Sequence, residues 1–269
     1  MSESSILITG GGGWIGSHLQ VRLVAEGNIV TAPRREEVDL SDAAAVRSLL
    51  SGLRPATIVH LAGSLIRGES EEARERQWRD TVLAGRNIFS IAGEAGVGRV
   101  IAAGSMEELG DHPGALGTRL QANPRTTYGL SKTLAFNIAR FHAAADRLSV
   151  DWFRPTTVYG PGQTGPMLIP TAFEAAASGK PGQFTDGYQE RDFLFIDDLL
   201  AWLQAAINAE RALTPGELHV YHVGSGRSVR VRDVLSRIAS YFPDSDFQLG
   251  AVPIRHAVHP QAPRPRRAP

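Results

Sequence analysis

Residues 4–23 read SSILITGGGGWIGSHLQVRL, and the order of residue types in that stretch decides the fold. Ile6, Leu7 and Ile8 make the short apolar run that a buried parallel strand needs. Glycines follow at once, and an apolar-periodic helix begins near Trp14. Gly10, Gly13 and Gly16 are spaced G-x-x-G-x-x-G, one residue off the G-x-G-x-x-G of dinucleotide-binding turns. Bare glycines let the backbone turn tightly and approach a pyrophosphate, and the helix N-terminus offers unpaired N–H groups to that anion. A turn of purely structural use is the alternative; the order strand, glycines, helix favours the anion site.

Working outward, apolar runs and helical periodicity alternate. Strands are expected near 5–9, 28–32, 56–61, 98–103 and 149–154. Helices are expected near 14–26, 42–52, 71–95, 127–145, 167–178, 196–209 and 231–241. Strands alternating with helices imply an α/β fold around a doubly wound parallel sheet, with ligands bound outside the carboxyl ends of the strands. Residues 1–154 read as the dinucleotide-binding domain, with 191–210 packing back on it. Segments 155–190 and 211–258, rich in Gly and Pro, read as a smaller C-terminal substrate lobe, and 259–269 as a disordered Pro/Arg tail.

The chain has 269 residues, 42% of them hydrophobic, with a formal net charge of zero. That length buries a sizeable core, and the neutral balance favours neither nucleic acid nor an acidic membrane as partner. With no cysteine, disulfides, thiolate nucleophiles and cysteine-ligated metals are excluded, and no metal site is expected. No apolar run approaches the ~20 residues of a membrane span. A cytoplasmic location is the expectation, the N-terminus entering a strand without room for a signal peptide.

Tyr128 and Lys132 form Tyr-x-x-x-Lys in TTYGLSK, and Ser105 lies upstream in IAAGSMEELG. Residues four apart share a helix face, so the ammonium is expected to lower the phenol's pKa from about 10. The phenol then exchanges a proton near neutral pH. Ser105 is placed to hydrogen-bond the substrate oxygen.

Together these motifs resemble the extended short-chain dehydrogenase/reductase family, whose members act mostly on nucleotide sugars and have a Rossmann-type sheet. The resemblance covers roughly residues 4–255 and adds IVHLAG at 58–63, RPTTVYGPGQ at 154–163 and RDFLFIDDL at 191–199. It implies catalytic roles for Ser105, Tyr128 and Lys132, with Lys132 also holding the nicotinamide ribose. It implies cofactor contacts for Gly10, Gly13, Trp14, Ile15 and Gly16, for Leu61, Ala62 and Gly63, for Pro155, and for Tyr128 as well as Lys132. Asp39 and Leu40 match the family's Asp-Leu pair beside adenine; Ser41 and Asp42 are alternative caps for the next helix.

NAD binders usually end their second strand in Asp or Glu, for the ribose 2′-OH. Here Pro33, Arg34 and Arg35 stand there. Arginine suits a 2′-phosphate, so NADP(H) is favoured, with NAD(H) held by Glu36 or Glu37 as the alternative. The short link from the second strand to Asp39 resembles the family's NADPH reductases. Where the family's 4,6-dehydratases carry an acid after their Thr or Ser, this chain has Met106, which donates no proton. Glu107 is either a base or a cap.

The function implied is NADPH-dependent reduction of the 4-keto group on a nucleotide-diphosphate 6-deoxy sugar. An NAD-dependent nucleotide-sugar epimerase or dehydratase, a reductase of a non-nucleotide ketone and a non-catalytic NADP-binding protein are the alternatives. By resemblance, Arg191 and Arg255 hold the diphosphate and Thr157 faces the sugar. Thr81 replaces an asparagine of the middle helix, and His60 is expected to pack beside the cofactor. A homodimer through the helices near 71–95 and 127–145 is expected, with Leu134, Ile138 and Phe141 supplying apolar positions.

Overall fold

The computed structural model describes residues 5–110, 120–209 and 214–253. The opening run forms β1 (Ser5–Thr9), the glycines turn, and α1 (Trp14–Ala25) leads to β2 (Ile29–Thr31). Then come α2 (Ala43–Leu53), β3 (Thr57–His60), α3 (Glu71–Gln77), a π-helical segment (Trp78–Leu83) and α4 (Ala84–Glu94). Next are β4 (Arg99–Ala103), a 3₁₀ turn (Met106–Glu108), α5 (Thr127–Asp146), β5 (Ser149–Pro155) and β6 (Thr157–Tyr159). The remainder comprises α6 (Leu168–Ser178), β7 (Gly182–Phe184), β8 (Glu190–Phe195) and α7 (Ile196–Asn208). It closes with β9 (Leu218–Val223), β10 (Ser228–Arg230), α8 (Val231–Ala239) and β11 (Phe247–Leu249).

The main sheet has strand order β2-β1-β3-β4-β5-β9, every neighbouring pair parallel. The chain steps from β1 to β2 on one side and then crosses back past β1 to β3 on the other, from where it continues outward. The topological switch point therefore lies between β1 and β3, where a ligand crevice opens in such sheets. Crossover helices bury the sheet on both faces, and alternation along the strands sends successive residues to opposite cores. Leu7, Ile58, Val100, Ala102, Val150 and Trp152 pack in one core with residues of α2, α4 and α5. Ile6, Ile8, Val59, Ile101 and Phe153 pack in the other with residues of α1 and α7.

Two small sheets, β10-β8-β6 and β11-β7, build the lobe beside α6 and α8. The expected division at 211–258 needs correction. β9 falls inside that segment yet pairs with β5 along six residues of the main sheet. Within 191–210, α7 packs on the main core while β8 belongs to the small antiparallel-and-parallel sheet. The helix expected over 71–95 is also not uniform, since its middle is π-wound. Arg255 and the tail at 259–269 lie outside the described residues.

His60 at the end of β3 is buried, shares a 2.6 Å hydrogen bond with the Thr9 hydroxyl and meets Phe89 edge-on. Burial, assisted by the Lys132 charge, drives its pKa down to about 3 from 6.5. The unfolded chain therefore binds the extra proton between those two pH values, so stability falls as pH drops through that window. We expect roughly 3 kcal/mol of stability to be lost between neutral pH and about pH 4.5 from this group alone. Denaturant titrations at both pH values check it. An equal pH dependence in His60→Gln would assign the loss to other groups.

Candidate active site

A cleft of about 810 Å³ opens at the carboxyl ends of β1, β2 and β3. Gly10 to Gly13, Trp14, Ile15 and Gly16 form its floor. Gly10 has φ 77, and a Cβ there would sit 2.6 Å from the Ala62 amide nitrogen. A Cβ on Gly16 would lie 2.2 Å from the Gly10 carbonyl oxygen. Gly10 is thus fixed by the close approach of the chain after β3, and Gly16 by the close approach of α1 to the turn. Gly12 is different, because a Cβ there would meet nothing within 4 Å and its bare backbone faces open space. Gly13 caps α1 without any side-chain hydrogen bond, leaving the first-turn N–H groups available. Open glycine backbone at an uncapped helix N-terminus fits the diphosphate of a dinucleotide.

The walls come from Arg34, Arg35, Asp39 and Leu40 after β2, and from Leu61, Ala62 and Gly63 after β3, where the sequence reading put them. Pro155 does not line the cleft; it ends β5 beside Val223. Asp39 accepts from the Ser41 amide and hydroxyl, which hold its carboxyl below the ordinary range. Asp42 is the side chain that caps α2. The Leu40 carbonyl accepts from Asn87 at 2.9 Å. Arg35 donates through both terminal nitrogens to the two Asp80 oxygens at 2.7 Å, so it is already paired. The Arg34 guanidinium has no hydrogen bond or ion pair among the described residues, and its backbone N–H donates to Glu37.

Beside the cleft, α5 presents Tyr128, Ser131 and Lys132 inward. Its N-terminus is fixed by Thr126, which caps Gly129 and donates to Glu107, and by Glu69, which accepts from the Thr127 amide. Gly129 permits this docking, because a Cβ there would meet the Glu107 carbonyl oxygen at 2.5 Å. The Ser105 side chain acts on the Tyr128 phenol and pulls its pKa down, against the larger effect of burial. Ser105 caps the 3₁₀ turn: its hydroxyl accepts from the Glu107 amide, and its own N–H donates to Glu108 at 2.8 Å. Glu108 is fully buried and also accepts from Trp152 and from Arg154, itself buried. Burial pushes the Glu108 carboxyl up, opposed chiefly by Arg154.

The expected action of Lys132 on Tyr128 is not what the geometry gives. Lys132 Nζ donates to the Ala103 carbonyl at 2.8 Å and stands 6.0 Å from the phenol ring centroid. Burial is the largest influence on Tyr128 and raises its pKa above the ordinary value. The cation that opposes this is Arg67, stacked 3.9 Å from the ring centroid and ion-paired with Glu107. Lys132 is lowered by burial to about 8, with Glu108 pulling the other way. The phenol is thus held protonated at neutral pH. Such a group donates a proton.

Glu107, open between base and cap, is committed to Arg67 and Thr126. Met106 is buried against Leu109 and Leu120. Thr81 accepts from the Ser64 amide and donates to Gln77, which steadies the loop after β3. Thr157 and Arg191 lie in the small sheet, and Arg191 donates to the Glu190 carbonyl. Sequence reasoning missed Arg67, Asp80 and the Glu108–Arg154 pair. The basic residue in SLIRGES, in the loop after β3, was the available signal for Arg67.

Among the described residues no cluster of His, Cys, Asp and Glu is arranged to hold a metal, and no helix is long and apolar enough to cross a membrane.

The chain is similar to proteins of known activity. The chain is 25% identical to the dTDP-L-rhamnose 4-epimerase of Burkholderia thailandensis, over 94% of this chain and 86% of that protein. It is 28% identical to a dTDP-4-dehydro-6-deoxy-D-allose reductase of Streptomyces sp, over 73% and 70%. The structure of MoeE5 in complex with UDP-glucuronic acid and NAD superposes with a TM-score of 0.87 at 28% identity, covering 98% of this chain and 91% of that one. The UDP-glucose 4-epimerase of Thermus thermophilus, at 23% identity and a TM-score of 0.86 over 97% of this chain and 90% of that one, shares the fold. Residues 6–224, most of the chain, match one family profile. The glycine turn, the cleft above it and the Ser-Tyr-Lys group beside it all fall within that match, and the protein is an enzyme of the NAD-dependent epimerase/dehydratase family, the extended short-chain dehydrogenase/reductases.

Proposed function

We propose that the protein reduces the 4-keto group of a nucleotide-diphosphate 6-deoxy sugar, using NADPH. The observation that carries this reading is the end of β2. It offers no carboxylate at the strand terminus and sets Arg34, whose guanidinium is unpaired among the described residues, along the cleft. A guanidinium matches the oxygens of a 2′-phosphate. The buried, protonated Tyr128 and the absence of an acid at Met106 favour carbonyl reduction over water elimination.

A nicotinamide dinucleotide supplies the hydride when bound. Gly10 to Gly13 and the α1 N-terminus would hold its diphosphate, and Lys132 the ribose next to the nicotinamide. Ser105 hydrogen-bonds the substrate carbonyl oxygen and stabilises the charge that develops on it. Tyr128 gives that oxygen its phenolic proton, and the product leaves as an alcohol. Glu107 acts on the site by anchoring Arg67. The exposed Leu130 and Phe141 on α5 support a homodimer through this helix.

The test is NADPH consumption with dTDP- and GDP-linked 4-keto-6-deoxy hexoses. Oxidation that depends on the sugar nucleotide supports the proposal. One specific observation favours a second reading, 4-epimerisation with tightly held NAD: Arg35 is already bound to Asp80, so a 2′-phosphate meets fewer free donors. Purified enzyme that retains NAD and interconverts 4-epimers without consuming NADPH would sink the first reading and establish the second.

A further inference from the structure

We propose that Asp80 limits the affinity of the cleft for a 2′-phosphate by withholding Arg35 from the ribose 2′ position, leaving Arg34 alone to meet it. Both residues line the cleft, Arg35 from the segment after β2 and Asp80 from the π-helical segment of the middle helix. Their side chains meet fork to fork, with both Arg35 terminal nitrogens 2.7 Å from Asp80 oxygens. Arg79 adds a third bond to Asp80, Nε to Oδ1 at 2.9 Å. The Asp80 side chain is only 11% exposed against 51% for Arg35, so the carboxylate is the fixed partner and the guanidinium the captured one.

The π-wound segment starts at Trp78, and within it Asp80 meets Arg35 while the adjacent Thr81 meets the loop after β3. Neighbouring residues of one helix thereby serve two walls of the same cleft. A bidentate arginine–carboxylate pair is among the stronger charge-assisted contacts. A 2′-phosphate entering here must break that pair or share it, and it also faces the negative charge of Asp80. A ribose 2′-hydroxyl meets neither obstacle. Among the described residues of this wall, Arg34 is left as the guanidinium free to meet a phosphate.

This inference rests on a dinucleotide occupying the cleft, and is independent of which sugar reaction follows. The experiment is equilibrium binding of NAD⁺ and NADP⁺ to the full-length protein and its variants. Asp80→Asn keeps the side chain's shape, removes its charge and releases Arg35. We expect it to tighten NADP⁺ about tenfold while NAD⁺ stays within about twofold. Adding Arg35→Gln to Asp80→Asn should erase that gain. An unchanged NADP⁺ affinity in Asp80→Asn overturns the proposal, as does equal tightening of both dinucleotides. A double variant that keeps the whole of the gain overturns it too, because Arg35 would then play no part. Wild-type protein that binds neither dinucleotide removes the assignment of the cleft itself, and this inference with it.

Discussion

Tyr128→Phe is expected to lower kcat by about 10²–10⁴-fold, the range that a positioned general acid contributes. The substitution deletes one oxygen and leaves the ring that Arg67 stacks on. Because the residue is 8% exposed and its neighbours stay in place, folding should be little affected. Tyr128 does not line the dinucleotide cleft, so cofactor affinity should hold within a few-fold. The measurement is steady-state turnover beside cofactor binding. Wild-type kcat in the variant would remove Tyr128 as the proton donor and direct attention to Ser105 or to water. A parallel loss of cofactor binding would mean that the hydroxyl holds the cofactor, rather than serving only as the proton donor.

The largest stability effect should come from Glu108→Leu. Four donor groups converge on this buried carboxylate: the Arg154 Nε and Nη2, the Trp152 indole and the Ser105 amide. Removing it strands the Arg154 charge in a site where the arginine is 3% exposed. Breaking a buried pair from one side costs about 3–5 kcal/mol. For a chain of this size that lowers Tm by roughly 10 °C. The paired change Glu108→Leu with Arg154→Met should recover most of the loss, since no charge is then left alone. Thermal denaturation of the single and double variants decides the matter. A single variant as stable as wild type would show that the pair contributes nothing net. Activity should fall in both variants, because Ser105 loses the carboxylate that fixes its backbone.

The nucleotide-binding half was legible because each signal there is local. An apolar run, four glycines and a periodic helix are contiguous in residues 4–23, and β1 and α1 begin where those residue types change. The lobe was harder for a physical reason. β6, β7, β10 and β11 are three residues each, too short to display alternation. β9 is partly exposed along most of its length, as an edge strand is, and its partner β5 lies far upstream. No pattern within LHVYHV names that partner. The π-wound stretch hid inside a helix whose ends were read within a residue. The tyrosine–lysine pair was found by spacing, but spacing gives a shared helix face and not a contact; Lys132 reaches across to Ala103 instead. Arg67 and Asp80 gained their roles from partners 40 and 45 residues away, Glu107 and Arg35, and such pairings are set only when the sheet assembles.

The late arrival of β9 has a consequence for biosynthesis. β5 is bonded to β4 on one side and waits for β9 on the other. As the chain emerges from the ribosome, α6, β7, β8 and α7 are all synthesised before that second partner exists. Throughout this interval β5 offers a row of unpaired N–H and C=O groups, and Phe153 lacks the Tyr221 ring that stacks on it at 4.8 Å. The nascent protein thus carries an adhesive edge until residue 223 is made. Its two halves are translated as one obligatory unit, and a fragment stopped after β5 is a candidate for chaperone capture rather than a miniature of the enzyme.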